Sequence, residues 1–237
     1  MKQRVFGTVA AFLAAVLLLT VPCSANSARS AVVLDCVSGR LLLDKKGSEK
    51  SLIASTTKIM TALLVCERCN VLDQMVIPKQ AVGIEGSSMY LKEGERLTLQ
   101  ELLYGLMLSS GNDAAVALAL YCCGSIQEFA NLMNDKARSL GMTGSHFENP
   151  NGLDSPNHYS TARDLAILAS YAMENPIFQK TVSTKTVTVG NRVLRNHNKL
   201  LWLYPEADGV KTGYTKAAGR ILVSSAVRNS RRLVAVT

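Results

Sequence analysis

The order in which the hydrophobic periodicity changes along the chain constrains the fold most. Residues 31–44, AVVLDCVSGRLLLD, read as two short strands joined by a turn at Val37–Gly39. Helical spacing then takes over. TTKIMTALLVCERC places Ile59, Met60, Leu63 and Leu64 on one face. TLQELLYGLML opens with a capping box, Thr98 to Glu101. AAVALALYCC is apolar throughout and stops at Gly124. SIQEFANLMNDKARSLG opens with a second box, Ser125 to Glu128, and ends at Gly141. TARDLAILASYAMENP opens at Thr161 and is stopped near Pro176. Strand patterns then return: TKTVTVGNRVLR with a hairpin signal at Gly190–Asn191, followed by DGVKTGYT, RILVSSAV and RRLVAVT. Strands, a helical block and strands again imply a layered α/β (α+β) fold, with one antiparallel sheet built from both chain ends and the helices inserted between.

Residues 1–25 have the layout of a signal peptide: Lys2 and Arg4, an apolar run from Val5 to Val21, then small residues with cleavage expected after Ala25 or Ala28. The alternative is an uncleaved N-terminal anchor. Both readings place the working protein outside the cytoplasm. Losing Lys2 and Arg4 lowers the formal net charge from +8 to +6, which suits an anionic cell wall or membrane surface. Nucleic acid is not an expected partner, because aromatic residues make up 5% and no dense basic run interleaves with them. Five of the six cysteines remain after cleavage and read as small buried residues. CERC, residues 66–69, lies late on a helix, away from the N-terminal position that activates a thiol. No metal or cofactor is expected. His146, His158 and His197 show no ligand spacing and read as structural or loop-borne.

The chemistry concentrates in SLIASTTKIM, residues 51–60. Ser55 and Lys58 are three residues apart, so on a helix they share a face, with Ser55 in the first turn. A serine hydroxyl needs a base, and a lysine can serve only when neutral. The spacing alone is equally met by a capping serine and a solvated lysine. SSGND places Ser110 and Asn112 between two apolar helices, where a polar turn capped by Asn112 or Asp113 is the plainer reading. DGVKTGYT places Lys211, Thr212, Gly213 and Tyr214 in a strand. A glycine there hints that something approaches the backbone closely.

Ser-x-x-Lys, Ser-x-Asn and Lys-Thr-Gly in this order resemble the penicillin-recognising active-site serine enzymes. The longer strings ASTTKIMTALL, EGSSMYLKEGE, LLYGLMLSSGNDAA, NPNGLD, HYSTARDLA and DGVKTGYTKAAGR are similar to those of the serine-type D-alanyl-D-alanine carboxypeptidases, the low-molecular-mass penicillin-binding proteins. The resemblance implies a β-lactamase/transpeptidase-like catalytic domain over residues 31–237. It implies a peptidoglycan stem peptide ending in D-Ala-D-Ala as substrate and β-lactams as inhibitors. By the same resemblance Ser55 is the nucleophile and Lys58 its base, and Ser110 and Asn112 relay a proton and hold the substrate amide. Lys211 and Thr212 bind the terminal carboxylate, and the N–H groups of Ser55 and Tyr214 form the oxyanion hole. A β-lactamase, a D,D-endopeptidase and a non-catalytic wall-binding or β-lactam-sensing module are the alternatives. Because the last strand pattern runs to Thr237 and such proteins commonly continue, the expectation is a truncated catalytic domain with weak stability or low activity. Glu148, beside NPNGLD, is given no role.

Overall fold

In the computed structural model, which describes residues 27–237, the first strand pairs with the last. β1 (Ala31–Asp35) lies between β2 (Leu41–Lys45) and β9 (Arg231–Val236), with Val32 opposite Val236 and Leu34 opposite Val234. These apolar residues are buried, so a slip of one residue would turn the buried set to the other face. β8 (Gly219–Arg228) and β7 (Ala207–Thr215) complete a five-stranded antiparallel sheet in the order β2-β1-β9-β8-β7. Both chain ends build it, as the order of patterns implied. β7 has a neighbour on one side only.

The inserted helices pack around α1 (Lys58–Arg68), whose residues from Lys58 to Val65 are all buried. Burying each of its large apolar side chains contributes about 1.5–3 kcal/mol. α2 (Leu99–Leu108) begins at the expected capping box. Thr98 Oγ1 accepts from Glu101 N, and the Glu101 carboxylate accepts from Thr98 N. α3 (Asn112–Cys123) ends at Gly124, whose φ of +74° is the left-handed conformation that glycine adopts readily. Only half of the second box forms at α4 (Ile126–Ser139), where Ser125 Oγ accepts from Glu128 N. α5 (Ala162–Ala172) is capped by Thr161 and packs on β1 and β9.

Three features depart from the sequence reading. Pro176 opens a further helix, α6 (Pro176–Ser183), because Asn175 caps it and proline at the first position lacks only an N–H that would be unpaired anyway. The hairpin β5 (Thr186–Val189) and β6 (Arg192–Arg195) forms as expected at Gly190–Asn191, but as a separate two-stranded sheet. A second small sheet, β3 (Gln74–Val76) with β4 (Arg96–Thr98), and the short α7 (Leu200–Leu203) were not legible in the periodicity. The expected signal peptide lies outside the described residues.

Candidate active site

Three segments meet at the N-terminal end of α1. The first is a 3-10 turn, Ala54–Thr57, rather than the opening turn of an α-helix. Ile53 O accepts from both Thr56 N (3.1 Å) and Thr56 Oγ1 (2.6 Å). Side chains three apart eclipse in a 3-10 turn, so Ser55 Oγ comes to 2.9 Å from Lys58 Nζ.

Lys58 has no exposed surface. Its Nζ also lies 2.7 Å from Asn112 Oδ1 and 2.6 Å from the carbonyl of Asn151. The Asn112 amide nitrogen donates to Glu85 O, which turns Oδ1 toward the lysine. Burial, aided by the nearby charge of Lys211 and opposed by Asp113, holds the Lys58 amine well below its ordinary pKa. A neutral amine has two hydrogens and one lone pair. With Asn112 Oδ1 and Asn151 O accepting the hydrogens, the lone pair is left for the Ser55 hydroxyl to donate to.

Ser110 sits in the second segment, between α2 and α3, with φ of +61°. A non-glycine residue held there costs about 1–2 kcal/mol, and such residues cluster at functional sites. Asp113 does not cap α3 in the manner expected of a turn residue. Its carboxylate instead accepts from Met89 N, Leu91 N and Ser88 Oγ, pinning residues 88–91 beside the site. The N-cap of α3 is Gly111, with no side-chain cap.

The third segment is β7. Lys211 is 1% exposed, and burial pushes its amine down to about 7; it donates to Thr212 O at 3.0 Å. The glycine that follows is required by crowding. A Cβ on Gly213 would stand 3.1 Å from Ile53 O and 3.3 Å from Thr56 N, so strand and 3-10 turn touch backbone to backbone. Ser55, Ser110, Thr212, Gly213 and Tyr214 all line one cleft of about 670 Å³. Thus Ser55, Lys58 and Asn112 are joined directly, four further expected residues share the cleft, and Lys211 lies buried close enough for its charge to bear on Lys58.

Some contributors were missed. The Asn151 carbonyl belongs to NPNGLD, but a backbone acceptor leaves no mark on a sequence. Gly152, with φ of +86°, seats this loop against the 3-10 turn; a Cβ there would lie 1.9 Å from Ala54 O. His158 is structural, as expected: its Nδ1 accepts from Glu148 N, so Nε2 donates to Thr57 Oγ1 at 2.8 Å, and burial lowers its pKa to about 4. His197 and Lys199 line the cleft, which their loop context did not suggest. The five described cysteines are free and half-buried. Cys69, Cys122 and Cys123 form a chain of thiol contacts at the ends of α1 and α3 remote from Lys58 and Asn112.

Comparison with known proteins gives this geometry a family. The model of the D-alanyl-D-alanine carboxypeptidase family, Peptidase_S11, matches residues 19–237. The chain belongs to that family. It is similar to D-alanyl-D-alanine carboxypeptidase DacF of Bacillus subtilis, 38% identical over 222 residues, covering 90% of this chain and 57% of the relative. The chain therefore spans little more than half the length of that carboxypeptidase. Among solved structures, a penicillin-binding protein homologue from Mycobacterium tuberculosis superposes with a TM-score of 0.87 at 34% identity, covering 92% of this chain and 85% of the other. A mutant of the Streptomyces K15 DD-transpeptidase does so with a TM-score of 0.85 at 34% identity, covering 89% of each chain. The chain thus shares its fold with both of these proteins.

Proposed function

We propose that residues 31–237 form the catalytic domain of an exported serine D,D-carboxypeptidase that removes the terminal D-alanine from peptidoglycan stem peptides and is acylated by β-lactams. The observation that carries the reading is the buried Lys58 amine, with two acceptors for its hydrogens and Ser55 Oγ at 2.9 Å. Ser55 O–H gives its proton to Lys58 as Oγ bonds to the carbonyl carbon between the two D-alanines. The C–N bond then breaks, and the leaving amine takes a proton relayed through Ser110. Water cleaves the resulting ester and restores Ser55. The N–H groups of Ser55 and Tyr214 serve the developing oxyanion, and one such donor contributes roughly 2.7–4 kcal/mol. Charged Lys211 and Thr212 hold the terminal carboxylate. The open edge of β7 lets the substrate backbone lie alongside as an added strand.

Glu148 favours hydrolysis of peptide over a β-lactamase role. Its carboxylate is bound by Ser155 Oγ and Asn157 N, within its own loop. A basic domain leaving the cytoplasm is suited to the anionic wall or the outer membrane face. The test is release of D-alanine from diacetyl-L-Lys-D-Ala-D-Ala, together with labelling by a fluorescent penicillin. Lys58→Ala is expected to abolish labelling with the fold retained. Undiminished labelling would remove Lys58 from the base role.

A further inference from the structure

α1 and α3 touch at both ends. Lys58 and Asn112, their first residues, meet through the 2.7 Å hydrogen bond at the site. Cys69, the C-cap of α1, meets Cys122 in the last turn of α3. The helices therefore run side by side in one direction, and at about 1.5 Å per residue the thiols stand about 15 Å from the catalytic pair. Tyr121 keeps the far contact in register: its hydroxyl donates to Asp73 Oδ2 at 3.0 Å, in the loop that follows α1. The sulfurs there form an ordered chain, in which Cys123 donates to Cys122 and Cys122 to Cys69. Cys69 is the accepting end, so its anion is the one the others favour. The Arg68 guanidinium favours the anion at all three, against Asp73 beside Cys69 and Glu128 beside Cys123. All three are partly exposed, within reach of a small oxidant. Among the described residues no three side chains of His, Cys, Asp or Glu are placed to hold a metal ion, which leaves thiol oxidation as the chemistry open to this cluster.

We propose that Cys69 and Cys122 are a disulfide site, closed by exchange with a disulfide oxidant outside the cytoplasm, and that the bond clamps together the two helices that carry Lys58 and Asn112. The oxidising setting rests on the export proposed above, whereas the pairing rests on the contact between the two thiols. Sulfurs already in hydrogen-bond contact need only side-chain rotation to reach bonding distance. The Cys69 thiolate attacks one sulfur of the oxidant, and one thiolate leaves. Cys122, deprotonated in turn, attacks the Cys69 sulfur of the mixed disulfide and expels the second thiolate. Two protein thiols become one disulfide, the disulfide of the oxidant becomes two thiols, and the two protons released by the protein end on them. Cys123 stays reduced beside the bond. The bond closes a loop of about 50 residues that contains Ser110 and Asn112, and so restricts that stretch in the unfolded chain.

The purified chain is incubated with oxidised glutathione or with dithiothreitol, alkylated, cut with trypsin and analysed by mass spectrometry. Cleavage after Arg68 puts Cys66 and Cys69 in different peptides. A species joining the Cys69 and Cys122 peptides is expected after oxidised glutathione and not after dithiothreitol. Cys123→Ser is expected to keep the link, and Cys69→Ser and Cys122→Ser to lose it. Oxidation should raise the Tm of the wild type and of Cys123→Ser by about 8–16 °C and leave Cys69→Ser unmoved. Penicillin labelling at room temperature should stay within about twofold in both redox states, since the bond forms at the far ends of the helices. A link to Cys36 or Cys66, a link that survives in Cys122→Ser, glutathione adducts in place of a link, or a link with no rise in Tm would overturn the proposal. So would a larger fall in labelling on oxidation, because the bond would then distort the Lys58–Asn112 pair. A chain that forms the link but takes up no penicillin in either redox state would defeat the carboxypeptidase reading and leave the disulfide standing.

Discussion

Replacing Lys211 with methionine should make the protein more stable and less able to bind its substrate. Met keeps the length and most of the apolar volume of lysine and removes the charge. Burial pushes the Lys211 amine from 10.5 down to about 7. Each tenfold change in proton affinity is worth 1.36 kcal/mol, so at pH 7 burying this amine costs about 4 kcal/mol. Losing the hydrogen bond to Thr212 O returns about 1 kcal/mol of that. A net gain of about 3 kcal/mol in a domain of this size corresponds to a rise in Tm of about 6–12 °C. The sign with pH follows from linkage. The folded-state pKa lies below the unfolded one, so between about 7 and 10.5 the unfolded chain holds the proton and the folded chain releases it. Raising the pH through that window stabilises the wild type and leaves the variant unmoved on this account. Thermal melts of both proteins from pH 7 to pH 10 should therefore show a gap that is widest at pH 7 and narrows upward. Labelling by penicillin should fall at the same time. A variant no more stable than the wild type at pH 7, or a gap that widens with pH, would refute the reasoning.

Gly152→Ala would force a Cβ to within 1.9 Å of Ala54 O at φ of +86°. The loop must move away, lengthening the 2.6 Å contact between Asn151 O and Lys58, and a displacement near 1 Å can cost about a hundredfold in rate. Stopped-flow acylation by a chromogenic β-lactam checks this. Acylation should rise with pH as Lys58 deprotonates through its depressed pKa, then fall above about pH 7 as Lys211 loses its charge. In Lys211→Met the alkaline fall should vanish and the acid limb should move to higher pH, since a neighbouring cation no longer disfavours protonated Lys58. Thr98→Ala removes the hydroxyl half of the α2 capping box and should lower stability by about 1 kcal/mol, read as a Tm decrease of about 2–4 °C. The Cys69 and Cys122 thiols, raised by burial, with Cys122 at about 11, should react slowly with maleimide at pH 7 and faster at pH 9.

What could be read from the sequence is what local periodicity and side-chain chemistry encode. Thr98 with Glu101 marked α2, Gly124 ended α3, and Gly190–Asn191 turned the hairpin, because each is settled by neighbours a few residues away. Gly213 was legible as a point of close approach, although what approaches it, the backbone from Ile53 to Thr56, lies about 160 positions earlier in the chain. Pro176 correctly marked where α5 stops, but that it also opens α6 is decided by the capping Asn175 before it. The 3-10 turn at Ser55 carried no local signature. It arises where the Ile53 carbonyl takes two bonds from Thr56 and where Gly152 and Gly213 crowd the turn from either side. That Lys58 must be neutral was legible, yet the dominance of burial over the neighbouring Lys211 in making it so depends on packing by helices that a linear reading does not bring together.

The pairing of β1 with β9 has a consequence for how the molecule comes into being. Residue 32 finds its partner at residue 236, so a chain emerging N-terminus first leaves that edge of β1 unpaired until roughly 200 further residues have followed. Loop closure on that scale is slow, and an unpaired strand edge invites association meanwhile. The central strand is thus a late-locking seam. Until it closes, β1 and β2 stay apart from β8 and from β7, the strand whose Gly213 meets the turn that carries Ser55.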